Sequence, residues 1–272
     1  MRLSIRHTTR YAFSNPVYYG LQRLRLTPKP THGQKVIDWR MEFEGAKFEV
    51  EYDDHQHNRT TLISVDPGTR ELAVTCTGTV DTADQAGILG QHSGFTPLWL
   101  FLRPTPLTRA GPHMRALVAS VQAHRANRLE QLHALSRAVL GAVAYETGAT
   151  EVDTPAEAAL EAGHGVCQDH AHIFIGAGRL LDIPMRYVSG YLKMDEKIEQ
   201  QAGHGWAEAY VEELGWVGFD VSNGIGPDER YVRVATGCDY TDAAPVVGLS
   251  LGSGHSALKV ELAVEQQQQA DQ

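Results

Sequence analysis

Cysteine is scarce: Cys76, Cys167 and Cys238 are the three in 272 residues. An odd number at wide spacing excludes a disulfide framework and fits a reducing, cytoplasmic setting. No stretch approaches the ~18 apolar residues of a membrane span. The opening MRLSIRHTTR has basic residues with no apolar run behind them, so no signal peptide is expected. Basic clusters are also missing. Lys and Arg number 24 against 33 Asp and Glu, a formal charge of −9, which argues against nucleic acid as the partner. Neither internal repeats nor low-complexity composition is present, apart from a Gln-rich end at 265–272 that reads as a polar tail.

What is present suits a globular chain. Hydrophobic residues make up 42% and charged residues 21%, enough to build a core and too ordinary for a fibrous or disordered protein. Thirteen histidines are an excess for this length.

The first part alternates with period two: Leu3 and Ile5, Tyr11 and Phe13, Ile37 to Phe43, Phe48 to Tyr52, and Leu72 to Cys76. Such alternation marks strands with one buried face. Ser14-Asn15-Pro16, Thr27-Pro28-Lys29-Pro30, Glu44-Gly45 and Asp66-Pro67-Gly68 supply turns between them. An antiparallel β-sandwich over residues 1–85 is expected. His55 and His57 flank a solvated turn there. From Pro97 the period becomes helical, with Leu117, Val121, Leu129, Leu132, Leu135, Val139 and Leu140 on one repeat. Residues 86–110 read as a connector and 111–264 as a second, α+β unit.

The chemistry lies between 163 and 223. In GHGVCQDHAHIFIGAGRLLDIP, Gly163 and Gly165 allow a tight approach, and a helix starts near Cys167. Ala171, Phe174, Gly178 and Leu181 continue its buried stripe, and Asp182-Ile183-Pro184 end it. A cysteine in the first turn sits at the positive end of the helix dipole, which favours the nucleophilic thiolate. The free amides there suit an oxyanion. A thiolate nucleophile needs a base, and the base needs an orienter. His204 opens one expected strand and Asp220 closes the next. A turn near Glu212 would set them opposite each other, and Cys, His and Asp would then form a papain-like thiol site.

The bland alternatives are a packed cysteine, a satisfied core histidine, and an Asp220 that caps a turn with Ser222 and Asn223. His164, Cys167, His170 and His172 also mimic a zinc cluster, but His170 and His172 point apart on a helix. A non-catalytic peptide-binding module is the other alternative. Cys76 and Cys238 read as packing residues.

Gly165-Val166-Cys167-Gln168-Asp169, Arg186-Tyr187-Val188-Ser189-Gly190-Tyr191, His204-Gly205-Trp206-Ala207-Glu208 and Gly215-Trp216-Val217-Gly218-Phe219-Asp220 together resemble the bacterial transglutaminase-like core. His7-Thr8-Thr9-Arg10-Tyr11 and Gln22-Arg23-Leu24-Arg25-Leu26 resemble the β domain that precedes it in one subfamily. The resemblance implies a helix-borne Cys167 nucleophile packed on an antiparallel sheet, with His204 as base and Asp220 as orienter. It implies hydrolysis or acyl transfer on peptide or glutamine-type amides through a thioester, hydrolysis favoured, a chemistry that requires no metal or organic cofactor. Gln168, Tyr145 and Trp206 are assigned as substrate or oxyanion contacts. The expected partner is a peptide or protein substrate, with neither nucleic acid nor membrane. His164 and Gly205 depart from the family pattern, which more often has Ala at the second position.

Overall fold

The computed structural model describes residues 1–121, 127–194, 199–200 and 202–267. The fold is α+β with mostly antiparallel sheets. Six strands come first: β1 (Arg2–Phe13), β2 (Tyr19–Leu24), β3 (Gln34–Glu44), β4 (Ala46–Asp53), β5 (Arg59–Val65) and β6 (Glu71–Thr82). They divide between two sheets that bury Phe13, Leu24, Ile63, Leu72, Val74 and Cys76 between them. The alternation in β1 and β6 marks this core. That in β4 does not: Phe48, Val50 and Tyr52 are 56%, 45% and 41% exposed. β4 is an edge strand, and an irregularity between Phe48 and Val50 breaks its register with β5.

The connector contains β7 (Ile88–Gly90) and a 3₁₀ turn (Leu98–Leu102). The helical period then gives α1 (Pro112–Ser120) and α2 (Arg128–Ala142). Pro112 suits the first helical position, and the Glu157 carboxylate accepts from the Gly111, His113 and Met114 amides at 2.8, 2.7 and 3.2 Å. Asn127 caps α2 by accepting from Leu129 and Glu130. Leu132, Leu135 and Val139 are buried, whereas Leu140 turns outward.

Next come β8 (Ala144–Tyr145), α3 (Ala156–Ala162), β9 (His164–Gly165) and α4 (Cys167–Leu180). They lead into β10 (Met185–Leu192), β11 (Glu199–Gln200), β12 (His204–Val211), β13 (Gly215–Phe219) and β14 (Tyr231–Gly237). A five-stranded sheet in the order β14-β10-β12-β13-β7 packs against α4. Ile173, Phe174, Tyr187, Ala207 and Phe219 lie in the core between them. Two glycines let α4 approach closely. A Cβ on Gly176 would sit 2.5 Å from the Thr108 carbonyl, and one on Gly178 would sit 2.7 Å from the Met185 sulfur. Arg179 on the same helix is buried, donating to the Phe101, Met185 and Cys238 carbonyls and to the Thr108 hydroxyl.

After α5 (Tyr240–Ala243) the chain returns to the first unit: β15 (Val246–Leu251) pairs with β2, and β16 (Ser256–Gln266) pairs with β1 along its length. Residues 246–264, which the sequence division leaves in the second unit, thus complete the sheets of the first. Open edges on β1 and β2 require partners, and these strands supply them. Positions 268–272 of the Gln-rich tail lie outside the described residues. Leu3, Ile5, Val80, Tyr191, Val232 and Leu262 form an apolar cluster where the two units meet. Gln34 joins them with polar bonds, donating to the Arg233 carbonyl and accepting from its amide, both at 2.8 Å. Among the described residues no helix is long and apolar enough to cross a membrane.

Candidate active site

Cys167 is the first residue of α4. The helix begins there because the Asp169 carboxylate holds the approach, accepting from the Val166 amide at 2.8 Å and the Thr150 hydroxyl at 2.6 Å. Gly165 must lack a side chain, since a Cβ there would come within 2.7 Å of the Asp169 Cβ. Amides in the first turn of a helix have no acceptor within it and form its positive end. They therefore point at whatever charge develops beside the Cys167 sulfur.

His204 opens β12, and its Nε2 lies 2.6 Å from Asp220 Oδ2. Cys167 lines the same cavity and adds to the charge felt by the ring. With Nε2 committed to the carboxylate, Nδ1 is the ring nitrogen left for proton exchange. Burial opposes charge on this ring, but Asp220 and Cys167 together outweigh it and raise its pKa to about 10. Asp220 is fully buried. Burial alone would raise its pKa, yet hydrogen bonds from His204, Tyr231 and Asn223 hold the carboxyl well below the usual range. The Tyr231 hydroxyl and the Asn223 amide group each donate to Oδ2 at 2.6 Å, and the Ser222 hydroxyl donates to Oδ1 at 2.8 Å. Asp220 thus caps its turn and grips His204 at once.

The hairpin register differs slightly from expectation. Its ladder runs from Ala207 opposite Phe219 to Val211 opposite Gly215, so the turn centres on Glu213. Asp220 reaches His204 on a diagonal as a result.

Cys167, His204, Gln168 and Tyr145 line one cavity of about 550 Å³. Its opposite wall comes from the first unit and its returning strand, including Tyr11 on β1 and Leu258 on β16. Gln168 donates through Nε2 to the Val152 carbonyl at 2.8 Å. Tyr145 pairs across from Gly165 and stacks on His170 with ring centres 6.2 Å apart. Trp206 is placed elsewhere: it stacks on the back of His204 at 6.1 Å, meets Tyr231 edge-on at 5.4 Å, and shields the His204–Asp220 pair rather than lining the cavity. Strand alternation sends its side chain to the other face of the sheet from the neighbouring Gly205.

The zinc-like quartet is dispersed. The two His170 ring nitrogens face the Val166 and Val143 carbonyls. His172 accepts from the Tyr240 amide, and burial holds its pKa to about 4. Among the described residues no three His, Cys, Asp or Glu side chains gather as a metal site. The other thiols are poor nucleophiles, for burial pushes Cys76 up to about 12 and Cys238 up to about 11.

Sequence reasoning missed Tyr231, and Asn223 as a direct donor. The spacing of Asn223 from Asp220 was visible. The role of Tyr231 was not, because it depends on how β14 crosses behind Asp220.

Comparison with known proteins gives concordant results. The family described as the bacterial transglutaminase-like N-terminal region matches residues 3–81, and the transglutaminase-like superfamily core matches residues 115–221. An uncharacterised protein of Mycobacterium leprae is 30% identical over 273 residues, covering 95% of this chain and 96% of its own. One from Mycobacterium tuberculosis is 27% identical over 278 residues, covering 91% and 87%. The fold is similar to a crystal structure from Cytophaga hutchinsonii provisionally assigned as a cysteine protease: TM-score 0.76, 24% identity, 98% of this chain and 92% of that one.

Proposed function

The chain belongs to the transglutaminase-like superfamily, and on that premise we propose a thiol-dependent hydrolase or acyltransferase acting on peptide or glutamine-type carboxamides. One observation carries this reading: a cysteine at a helix start shares a cavity with a histidine that a buried carboxylate holds at 2.6 Å. Buried, paired groups of this kind in a cleft are the arrangement expected of a nucleophile and its base.

In the proposed reaction, His204 takes the Cys167 thiol proton and the sulfur attacks the carbonyl carbon. The S–C bond forms as the carbonyl pair moves onto oxygen, where amides at the head of α4 donate to it. The pair returns, the C–N bond breaks, and His204 passes its proton to the departing amine. Water then gives a proton to His204 and attacks the thioester carbonyl, the S–C bond breaks, and His204 returns the proton to the departing sulfur, leaving the free thiol and a carboxylic acid. Asp220 keeps the ring oriented and supports its charge. Hydrolysis needs only water as acceptor and is favoured over cross-linking for that reason. The chemistry calls on no metal or organic cofactor, the substrate is a peptide or protein, and a cytoplasmic location suits an unpaired reactive thiol.

The test uses p-nitrophenyl butyrate as acyl donor, reading a burst of nitrophenolate and the butyryl adduct by intact mass, followed by a panel of glutamine-containing peptides. The adduct is expected on Cys167, absent in Cys167→Ala, and unchanged in Cys76→Ser. An adduct mapped to another cysteine, or a burst that survives Cys167→Ala, would remove the proposal.

A further inference from the structure

Tyr187 sits on β10 with its ring between α4 and the sheet, 5.1 Å from the His172 ring and edge-on to Tyr240 at 6.0 Å. The residue is 2% exposed. It lines the same cavity as Cys167 and His204, and among the described residues its hydroxyl has no hydrogen-bond partner. Burial, and after it the charge of Cys167, drive its pKa up, so it stays a protonated donor.

Its position is tied to one residue. A Cβ built on Gly205 would lie 2.0 Å from the Tyr187 hydroxyl oxygen and 2.8 Å from Cζ. The hydroxyl therefore occupies the space that alanine would need, immediately after His204. Gly205, the departure from the family pattern, is what admits it. Although the residue is buried, its hydroxyl oxygen is not sealed off, and with no partner among the described residues it must be satisfied from the cavity. Here the open direction is the cavity in front of the nucleophile.

We infer that the Tyr187 hydroxyl donates a hydrogen bond to the oxygen that becomes negative when Cys167 attacks an acyl carbonyl, and that Gly205 makes the room for it. The inference rests on Cys167 being the nucleophile. Tyr187 keeps its proton throughout: the oxygen gains the carbonyl pair as the S–C bond forms and returns it as the leaving group departs. The amides of α4 and this hydroxyl would approach the oxygen from two sides.

Two rates separate this role from its rivals. Acylation by p-nitrophenyl butyrate passes through an oxyanion, whereas alkylation of Cys167 by iodoacetamide does not. In Tyr187→Phe, which removes one oxygen and little volume, acylation should fall about 10²-fold, the usual cost of one oxyanion donor, with alkylation unchanged across pH. Gly205→Ala should slow acylation in the same way by displacing the hydroxyl. The double variant should be no slower than the worse single one, because both remove the same bond. Circular dichroism checks folding, and if Gly205→Ala is misfolded, Tyr187→Phe decides alone. Acylation at the wild-type rate in Tyr187→Phe would overturn the inference. So would a parallel fall in alkylation, which would place the hydroxyl on the sulfur instead. A wild-type protein with no burst would count against Cys167 itself, a different failure.

Discussion

Asp220 is the residue on which the site turns, because His204, Tyr231, Ser222 and Asn223 all direct donors at one buried carboxylate. A carboxylate saturated in this way has little freedom to move, and it fixes the imidazole by the same bonds. Replacing it by asparagine should cut acylation by ~10²-fold or more while His204→Ala and Cys167→Ala lose more, as in other triads where the orienter matters least; burst kinetics with matched circular dichroism check the order. The pH dependence follows from the signs. The raised His204 pKa stabilises the fold fully below the ordinary 6.5, and this stabilisation is lost as pH rises through about 10. The lowered Asp220 pKa stabilises above the ordinary 3.8, and that contribution is lost as pH falls further. The stability difference between wild type and Asp220→Asn should thus be greatest from pH 3.8 to 6.5 and shrink toward pH 10, as read by urea midpoints. Activity should also fall as pH passes about 10, where His204 no longer holds a proton for the leaving group, and this limb should move to lower pH in Asp220→Asn.

At the scale of elements, α4 was the most legible part of the molecule. Glycines before Cys167, one apolar stripe and a closing Asp-Ile-Pro are local signals, and the helix runs Cys167–Leu180 as they imply. The β12–β13 hairpin was legible to within a residue, since a turn reports its position only through its own few residues. The strand β4 misled, because alternation records a pattern and not which face is covered; at a sheet edge nothing covers it. β2 and β5 carry no comparable local signal, β2 being paired with β15 from the far end of the chain as well as with β5. What holds α1 in place was equally invisible, for its cap is Glu157 on α3, reaching back to three amides. Glu157→Ala should cost about 1–2 kcal/mol, the range of a lost helix cap, in a denaturant titration, with acylation per folded molecule unchanged.

Over the whole molecule, the first unit is closed by the last strands. Periodicity placed a boundary near 86–110 but had no means of showing that β15 and β16 pair with β2 and β1, since pairing partners more than two hundred residues apart leave no local mark. Deleting residues 246–272 should therefore do more than trim an end. It leaves two sheet edges open and removes Leu258 and Val260 from the cavity wall. Size-exclusion chromatography and near-ultraviolet circular dichroism should report an aggregated or non-native product, while a monomer with native dichroism would show that the first unit closes without these strands. The order of the chain has a consequence in time as well. Cys167, His204 and Asp220 all leave the ribosome before β16 does, so the three side chains are synthesised before the wall of the cavity beside Cys167 can form. A nascent or truncated chain carries these side chains in an unfinished cavity, which is walled in only once β16 has been made.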